Sequence, residues 1–188
     1  PMMSIICAVV PNMVPPSVWR PMLRLLLARV GEIDDRGQFP GAVRADYLRP
    51  AAQEIGAHPL VQRILGSSRL LCHWPPMARC VRPGDDNAQW PMHRDTKYNA
   101  HIEGEFITVW IPLVAIDAAC GGLRTAHREL APLMAGDAVI LGHECEHASM
   151  PNRSDRARLS CDFRFFSERT RSTKHYLNLT SGEVVEPC

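Results

Sequence analysis

The chain has 188 residues, of which 46% are hydrophobic and 22% charged, close to ordinary globular usage and enough for one domain. That balance excludes a disordered tail, a collagen-like fibre and a coiled coil. With 21 basic and 20 acidic residues the net charge is +1, so composition gives no case for nucleic acid or an acidic membrane surface as partner.

The first stretch, PMMSIICAVVPNMVPPSVW, has no charged side chain before Arg20. Pro11, Pro15 and Pro16 divide it into pieces too short to span a bilayer. It also lacks the basic start and small-residue cleavage pattern of a secretory signal. Seven cysteines (7, 72, 80, 120, 145, 161 and 188) make an odd number without paired spacing, which argues against a disulfide framework. A reducing, cytoplasmic setting is expected. Nothing in the sequence sets an oligomeric state.

Residues 1–67 read as mostly helical. Ser17 is placed to cap a helix reaching Val30, with Leu23, Leu26, Leu27 and Val30 on one face, Pro21 in its first turn and Gly31 at its end. Asp46 is placed to cap a second short helix, whose start Pro50 restricts. Pro59–Leu65 predicts a third, stopped by Gly66.

From Ser68 the pattern changes to short strands between turn residues. Arg69–Trp74 and Met77–Val81 are strand candidates, followed by the loop Arg82–Asn87. Phe106–Leu113 is rich in β-branched and aromatic residues and predicts a strand; Asp117–Gly122 predicts a turn and Ala138–Leu141 a strand. Arg156–Phe166 alternates strictly, with Leu159, Cys161, Phe163 and Phe165 on one face and Arg158, Ser160, Asp162 and Arg164 on the other. The expected class is α+β and mainly β: a barrel or sandwich core over 68–166, helical support before it and a tail over 167–188, all in one domain.

Three residues carry the chemistry. In Trp90-Pro-Met-His-Arg-Asp95, His93 and Asp95 are two apart, so on a strand they share a side. His147 follows the strand at 138–141. Two imidazoles and one carboxylate on one face make the facial triad of non-haem Fe(II) oxygenases, which leaves positions open for a co-substrate and O2. Eleven residues beyond His147 stands Arg158, on the polar face of the last strong strand. A guanidinium there can fork onto a carboxylate, as a 2-oxo acid bound to iron by its keto end requires. Arg156 has the same parity and competes for that role. Gln89, Trp90, Tyr98, Thr108 and Trp110 are candidates to line the pocket. Of these, Thr108 and Gln89 are assigned to co-substrate contact, and Tyr98 and Trp110, with Arg79, to substrate. Arg79, Arg82 and Lys97 are placed to meet an anionic substrate or, more plainly, solvent. His73, His101 and His127 read as surface or packed histidines, and Arg164 as a solvated or salt-bridged strand-end residue.

These stretches, WPMHRDTKY (90–98), TVWIPLVAIDAACGGL (108–123) and AGDAVILGHECEHASMPNRSDRARLSCDFRF (135–165), resemble the phytanoyl-CoA dioxygenase-like group of Fe(II)/2-oxoglutarate oxygenases over about half of the chain. The resemblance implies a double-stranded β-helix, iron held by His93, Asp95 and His147, and 2-oxoglutarate held by Arg158. It implies hydroxylation of a small molecule with release of succinate and CO2. Related halogenases have a small residue where Asp95 stands, so the carboxylate points away from halogenation. One segment departs from the group: Arg124-Thr-Ala-His127 follows Leu123 directly, where a longer strand is usual, which leaves the local substrate wall open.

Two other readings stand beside this one. The same barrel can serve as a binding or sensing module without turnover. His143-Glu144-Cys145-Glu146-His147 also matches the H-E-x-x-H motif of zinc hydrolases. That chemistry needs a helix, whereas here the motif follows a strand-like run and is cut short by Pro151.

Overall fold

The computed structural model describes residues 6–187. Residues 1–5 of the uncharged first stretch, and Cys188, lie outside the described residues.

A short strand β1 (Cys7–Val10) is followed by three helices, α1 (Pro16–Ala28), α2 (Gly41–Ala57) and α3 (Pro59–Leu65). Twelve strands come after them: β2 (Leu70–His73), β3 (Met77–Val81), β4 (Ile102–Glu103), β5 (Phe106–Pro112), β6 (Leu123–Thr125), β7 (Glu129–Leu130), β8 (Ala138–Gly142), β9 (His147–Ser149), β10 (Arg158–Ser167), β11 (Arg171–Ser172), β12 (Tyr176–Asn178) and β13 (Val184–Val185). The main sheet runs β1-β8-β5-β10-β2-β12-β13, with β3 also paired to β10, and every ladder in it is antiparallel. It takes strands from the N-terminal stretch and from the C-terminal one, as well as from between. A small sheet β7-β6-β9 lies apart from it, and β4 pairs with β11. No helix among the described residues is long and apolar enough to cross a membrane.

The period-two alternation decides what each face of the main sheet meets. Leu159, Cys161, Phe163 and Phe165 of β10 pack with Ile107, Val109 and Ile111 of β5, and with Met22, Leu26, Leu48 and Ile55 of the helices, in one core. The opposite parity of β5 and β8, Trp110, Val139 and Leu141, packs with Leu123 and Leu130 of the small sheet in a second core. Between these layers the remaining inward positions of β10, namely Arg158, Ser160, Asp162 and Arg164, border a cavity of about 240 Å³.

The helices differ in detail from expectation. Ser17 lies inside α1, whose first turn starts on Pro16, and no side chain caps it. The helix stops at Ala28, and Gly31 sits within a 3-10 turn at Val30–Glu32. The buried residues are Met22 and Leu26, whereas Leu27 is 48% exposed, because the face that meets α2 is set by the 22/26 spacing. The second helix starts at Gly41 rather than at Asp46 and continues through Pro50. Proline interrupts one backbone hydrogen bond there, and the burial of Val43, Leu48, Ala51, Ala52 and Ile55 holds the helix across the gap. The third helix ends as expected on Gly66, which takes φ +62 in the left-handed region that glycine tolerates.

Candidate metal centre and cavity

His93, Asp95 and His147 converge, with one ligand atom from each within 4.8 Å of the others. They do not meet as neighbours on one strand. His93 makes a lone antiparallel bridge to His147, with Nα–H donated in each direction at 2.9 Å. After Arg94 the chain bends, and Asp95 opens a 3-10 turn at Asp95–Lys97. The amide nitrogens of Tyr98 and Asn99 and the Asn99 side chain all donate to the Asp95 carbonyl, at 3.1, 3.0 and 2.9 Å. Those bonds fix the backbone from which the carboxylate projects.

Hydrogen bonds behind the cluster set its donor atoms. His93 Nδ1 lies 2.8 Å from the Pro91 carbonyl and His147 Nδ1 2.9 Å from the Cys145 carbonyl. A carbonyl can only accept, so both Nδ1 atoms carry the proton and both Nε2 atoms keep a lone pair. Those Nε2 atoms lie 3.7 and 3.9 Å from Asp95 Oδ1. Thr108 donates its hydroxyl to the other oxygen, Oδ2. Two nitrogen lone pairs and one carboxylate oxygen therefore face a common point, a donor set suited to a first-row divalent metal such as Fe(II).

The electrostatics agree with ligation. Burial raises the Asp95 pKa, but Arg164, then His93, His147 and Thr108, outweigh it and hold the carboxyl well below its usual range. Burial pushes the His147 pKa down, against the pull of Asp95. An ionised Asp95 and a neutral His147 are the forms that bind metal.

Arg158 lies on the cavity wall and is 3% exposed. Its Nη1 donates to the carbonyls of Gly121, Met150 (2.8 Å) and Cys120 (3.4 Å), while Nη2 has a contact at 3.4 Å to Ser149 Oγ. Burial lowers its pKa to about 10, so the guanidinium stays charged at neutral pH. Arg156 is exposed and pairs with Asp117 at 2.6 Å, outside the cavity. Buried Asn152 ties the entry to β10, donating to the carbonyls of Val81 and Arg156 at 2.9 and 2.8 Å.

The other candidates divide. Trp110, Tyr98 and Arg79 line the cavity. Tyr98 is 41% exposed at its mouth and stands edge-on to Trp90 and His93. Thr108 lines it too, but its hydroxyl goes to Asp95 rather than standing free for a co-substrate. Gln89 does not reach the wall: its amide turns back to Asp86, and Gln38 is the glutamine that borders the cavity. Arg82 stays exposed. The zinc-motif geometry fails, because residues 143–147 form a turn leading into β9 rather than a helix. His143 Nδ1 instead lies 3.1 Å from the Phe106 carbonyl.

Several wall residues escaped sequence reasoning, four of them able to carry a positive charge. Arg164 is only 11% exposed at its side chain and lies 2.9 Å from Asp162 and 3.7 Å from Asp95. Its inward parity was visible, but its pairing with Asp95 joins positions on different elements. Lys174 belongs to the C-terminal stretch read as a tail. His73 and His101 also line the cavity, 3.0 Å apart between ring nitrogens.

No protein-family model matches the chain, and no curated protein sequence matches it. Solved structures do resemble it. SnoN, a non-haem α-ketoglutarate-dependent epimerase from nogalamycin biosynthesis, superposes with a TM-score of 0.68 at 19% identity, over 87% of this chain and 78% of that one. SnoK, a carbocyclase from the same biosynthesis, gives 0.61 at 14% identity over 98% and 89% of the two chains. EvdO2 from Micromonospora carbonacea var. aurantiaca, solved with 2-oxoglutarate, gives 0.62 at 17% identity over 90% and 89%. By fold, then, the chain is a jelly-roll double-stranded β-helix of the kind that non-haem 2-oxoglutarate-dependent enzymes use.

Proposed function

We propose that this protein is an Fe(II)/2-oxoglutarate-dependent oxygenase that hydroxylates a C–H bond of a small molecule. The observation that carries the reading is the convergence of His93, Asp95 and His147, with their tautomers and free oxygen fixed, in a cavity whose wall also presents the buried cation Arg158. SnoN has been solved with Fe3+, α-ketoglutarate and nogalamycin RO, which adds support at the level of the fold.

Each residue has a role in this reading. His93 Nε2, His147 Nε2 and Asp95 Oδ1 would hold the metal at the cavity wall. Arg158 pairs with the far carboxylate of 2-oxoglutarate, and its three carbonyl contacts fix the direction from which it does so. Trp110, Leu123 and Leu141 supply apolar wall and limit water. Iron held there would activate O2, the oxidant, one oxygen atom of which enters succinate as 2-oxoglutarate loses CO2 while the other enters the substrate. Epimerisation and carbocyclisation are the printed activities of SnoN and SnoK. Hydroxylation is proposed here because it needs neither a second reacting group on the substrate, as carbocyclisation does, nor a hydrogen donor on the opposite face of the carbon, as epimerisation does.

The test has two readouts. Without oxygen, Fe(II) and 2-oxoglutarate together should give the visible charge-transfer band of a chelated 2-oxo acid. With oxygen, succinate should form, and a substrate screen by mass spectrometry should give +16 Da products. A band equally strong in Asp95→Gly, and indifferent to added chloride, would remove Asp95 from the metal assignment. Succinate with products lacking 16 Da would keep the co-substrate and overturn hydroxylation.

A further inference from the structure

The cavity wall carries more positive charge than this reaction uses. Arg79, Arg158, Arg164 and Lys174 line it, against the carboxylates of Asp95 and Asp162. A divalent metal and doubly charged 2-oxoglutarate add equal and opposite charge, so the excess persists when both are bound. Asp95 is then used by the metal and Arg158 by the co-substrate. Arg79, Arg164 and Lys174 are left facing a single carboxylate, Asp162.

Asp162 cannot satisfy them. Its Oδ2 lies 2.9 Å from Arg164 Nη2, but its Oδ1 is 3.9 Å from Arg79 Nε. Arg79 Nη1 and Arg164 Nε are buried with no hydrogen-bond partner. A buried donor without an acceptor loses its hydration and regains nothing. Both arginines are well placed for a planar anion, since Arg79 lies 4.6 Å above the Trp90 ring centroid and stacking keeps its fork oriented. The neighbouring His73–His101 pair stays neutral and adds no charge of either sign. Burial first, and then the field of Arg164 and Lys174, pushes His73 down to about 3 and His101 down to about 4.

We propose that Arg79, Arg164 and Lys174 form a subsite for a carboxylate carried by the substrate, so that the oxidised molecule is a small organic acid or presents the acidic end of a longer one. This rests on the function proposed above and adds the substrate class to it. A cavity of about 240 Å³ that also holds 2-oxoglutarate favours a compact group. A guanidinium fork matches a carboxylate with two parallel hydrogen bonds.

The test uses full-length protein with Fe(II) and saturating 2-oxoglutarate, without oxygen, so that Arg158 is already taken. Matched pairs of butanoate, hexanoate and phenylacetate with their primary amides are titrated by calorimetry. Each acid should bind roughly tenfold or more tightly than its amide. Arg79→Gln should bring that preference below about threefold, and Lys174→Gln, an exposed change that spares folding, should reduce it about twofold. Affinity for 2-oxoglutarate should stay within about twofold of native in both. Amides equal to acids, no measurable acid binding, an acid preference intact in both variants, or methyl phosphate outcompeting every acid would each overturn the carboxylate subsite. Absence of the 2-oxoglutarate band in the same native sample would instead overturn the underlying function.

Discussion

Thr108 donates its hydroxyl hydrogen to Asp95 Oδ2, which leaves Asp95 Oδ1 as the oxygen that faces His93 Nε2 and His147 Nε2. A carboxylate with both oxygens free can rotate or chelate through either. Here the strand β5 hydroxyl selects one oxygen, and Arg164, opposite Thr108 in the β5–β10 ladder, approaches that same oxygen at 3.7 Å.

Removing the selector should therefore weaken metal binding without emptying the site. Thr108→Val keeps the shape but leaves Oδ2 buried without its donor, a loss of about 1–3 kcal/mol. Affinity for Fe(II) or Zn(II) should fall roughly 10- to 100-fold, and Thr108→Ser should restore most of it. Equal affinity in native and Thr108→Val protein, by competition with a metallochromic chelator, would show that Oδ2 needs no partner.

Arg158, the first residue of β10, and Arg156, two residues before it, should separate cleanly. Arg158 is buried and faces the cavity, whereas Arg156 is exposed and bound to Asp117. Arg158→Ala should raise the apparent KM for 2-oxoglutarate roughly 30-fold or more, the effect of breaking a charged pair from one side at about 2–5 kcal/mol. Arg156→Ala should shift it less than about twofold, since exposed pairs contribute about 0–1 kcal/mol. Equal shifts in the two variants would leave the co-substrate carboxylate without an assigned partner.

What the sequence made legible follows from range. The β10 alternation separated the apolar face from the polar one and put Arg158 on the latter, because parity is a property of one strand, but it did not show that Arg164 at the far end borders the same cavity. The stop at Gly66 was legible for the same reason: the left-handed residue and the helix it ends are adjacent. The convergence of His93 and Asp95 was legible as chemistry but not as geometry, since a 3-10 turn rather than a strand aims the carboxylate. The passage of α2 through Pro50 was hidden because burial of Leu48, Ala51 and Ile55 against distant strands outweighs a local break. The Arg79–Asp162–Arg164 contacts and the His73–His101 pair join positions that only the closed sheet brings together.

On the acid side, His147 should gain its proton before Asp95 does. Ligation needs a neutral imidazole and an ionised carboxylate. Burial lowers the His147 pKa, and the net pull of its neighbours lowers that of Asp95. A lowered pKa extends the neutral form of His147 to more acidic pH, so in metal-free protein its ligand nitrogen should stay available below the ordinary histidine value of about 6.5. The His147 ring resonances, followed by NMR from neutral pH downward, should titrate only beneath that value. A His147 titration centred at or above about 6.5 would mean that the residue is not shielded as this geometry requires.

His143→Ala should leave the metal in place. His143 faces the Phe106 carbonyl and lies apart from the three converging residues, so its loss removes one hydrogen bond of about 0.5–1.5 kcal/mol and no ligand. His93→Ala or His147→Ala should abolish stoichiometric metal binding while circular dichroism stays close to native. Metal lost from His143→Ala but kept by His93→Ala would restore the H-E-x-x-H reading.

Gly121 ties the seat of Arg158 to a backbone conformation that only glycine supplies. Its φ is +65, and a Cβ there would overlap the Pro151 carbonyl and press on Met150 Cβ at 3.1 Å. Its own carbonyl accepts from Arg158 Nη1, as does that of Met150. The residue thus holds two loops close together and turns an acceptor onto the arginine at the same time. Gly121→Ala must either adopt a strained φ, at about 1–3 kcal/mol, or push the two loops apart. Separation would carry the Gly121 and Met150 carbonyls away from Nη1 and let the guanidinium drift from its direction. Thermal unfolding should fall by several degrees, and the KM for 2-oxoglutarate should rise several-fold, with metal affinity changed much less because His147, three residues before Met150, is held by its backbone bridge to His93. Restoring stability by mutation elsewhere should not restore the KM. A variant with lowered stability and native KM would show that Arg158 finds its direction without the Gly121 turn.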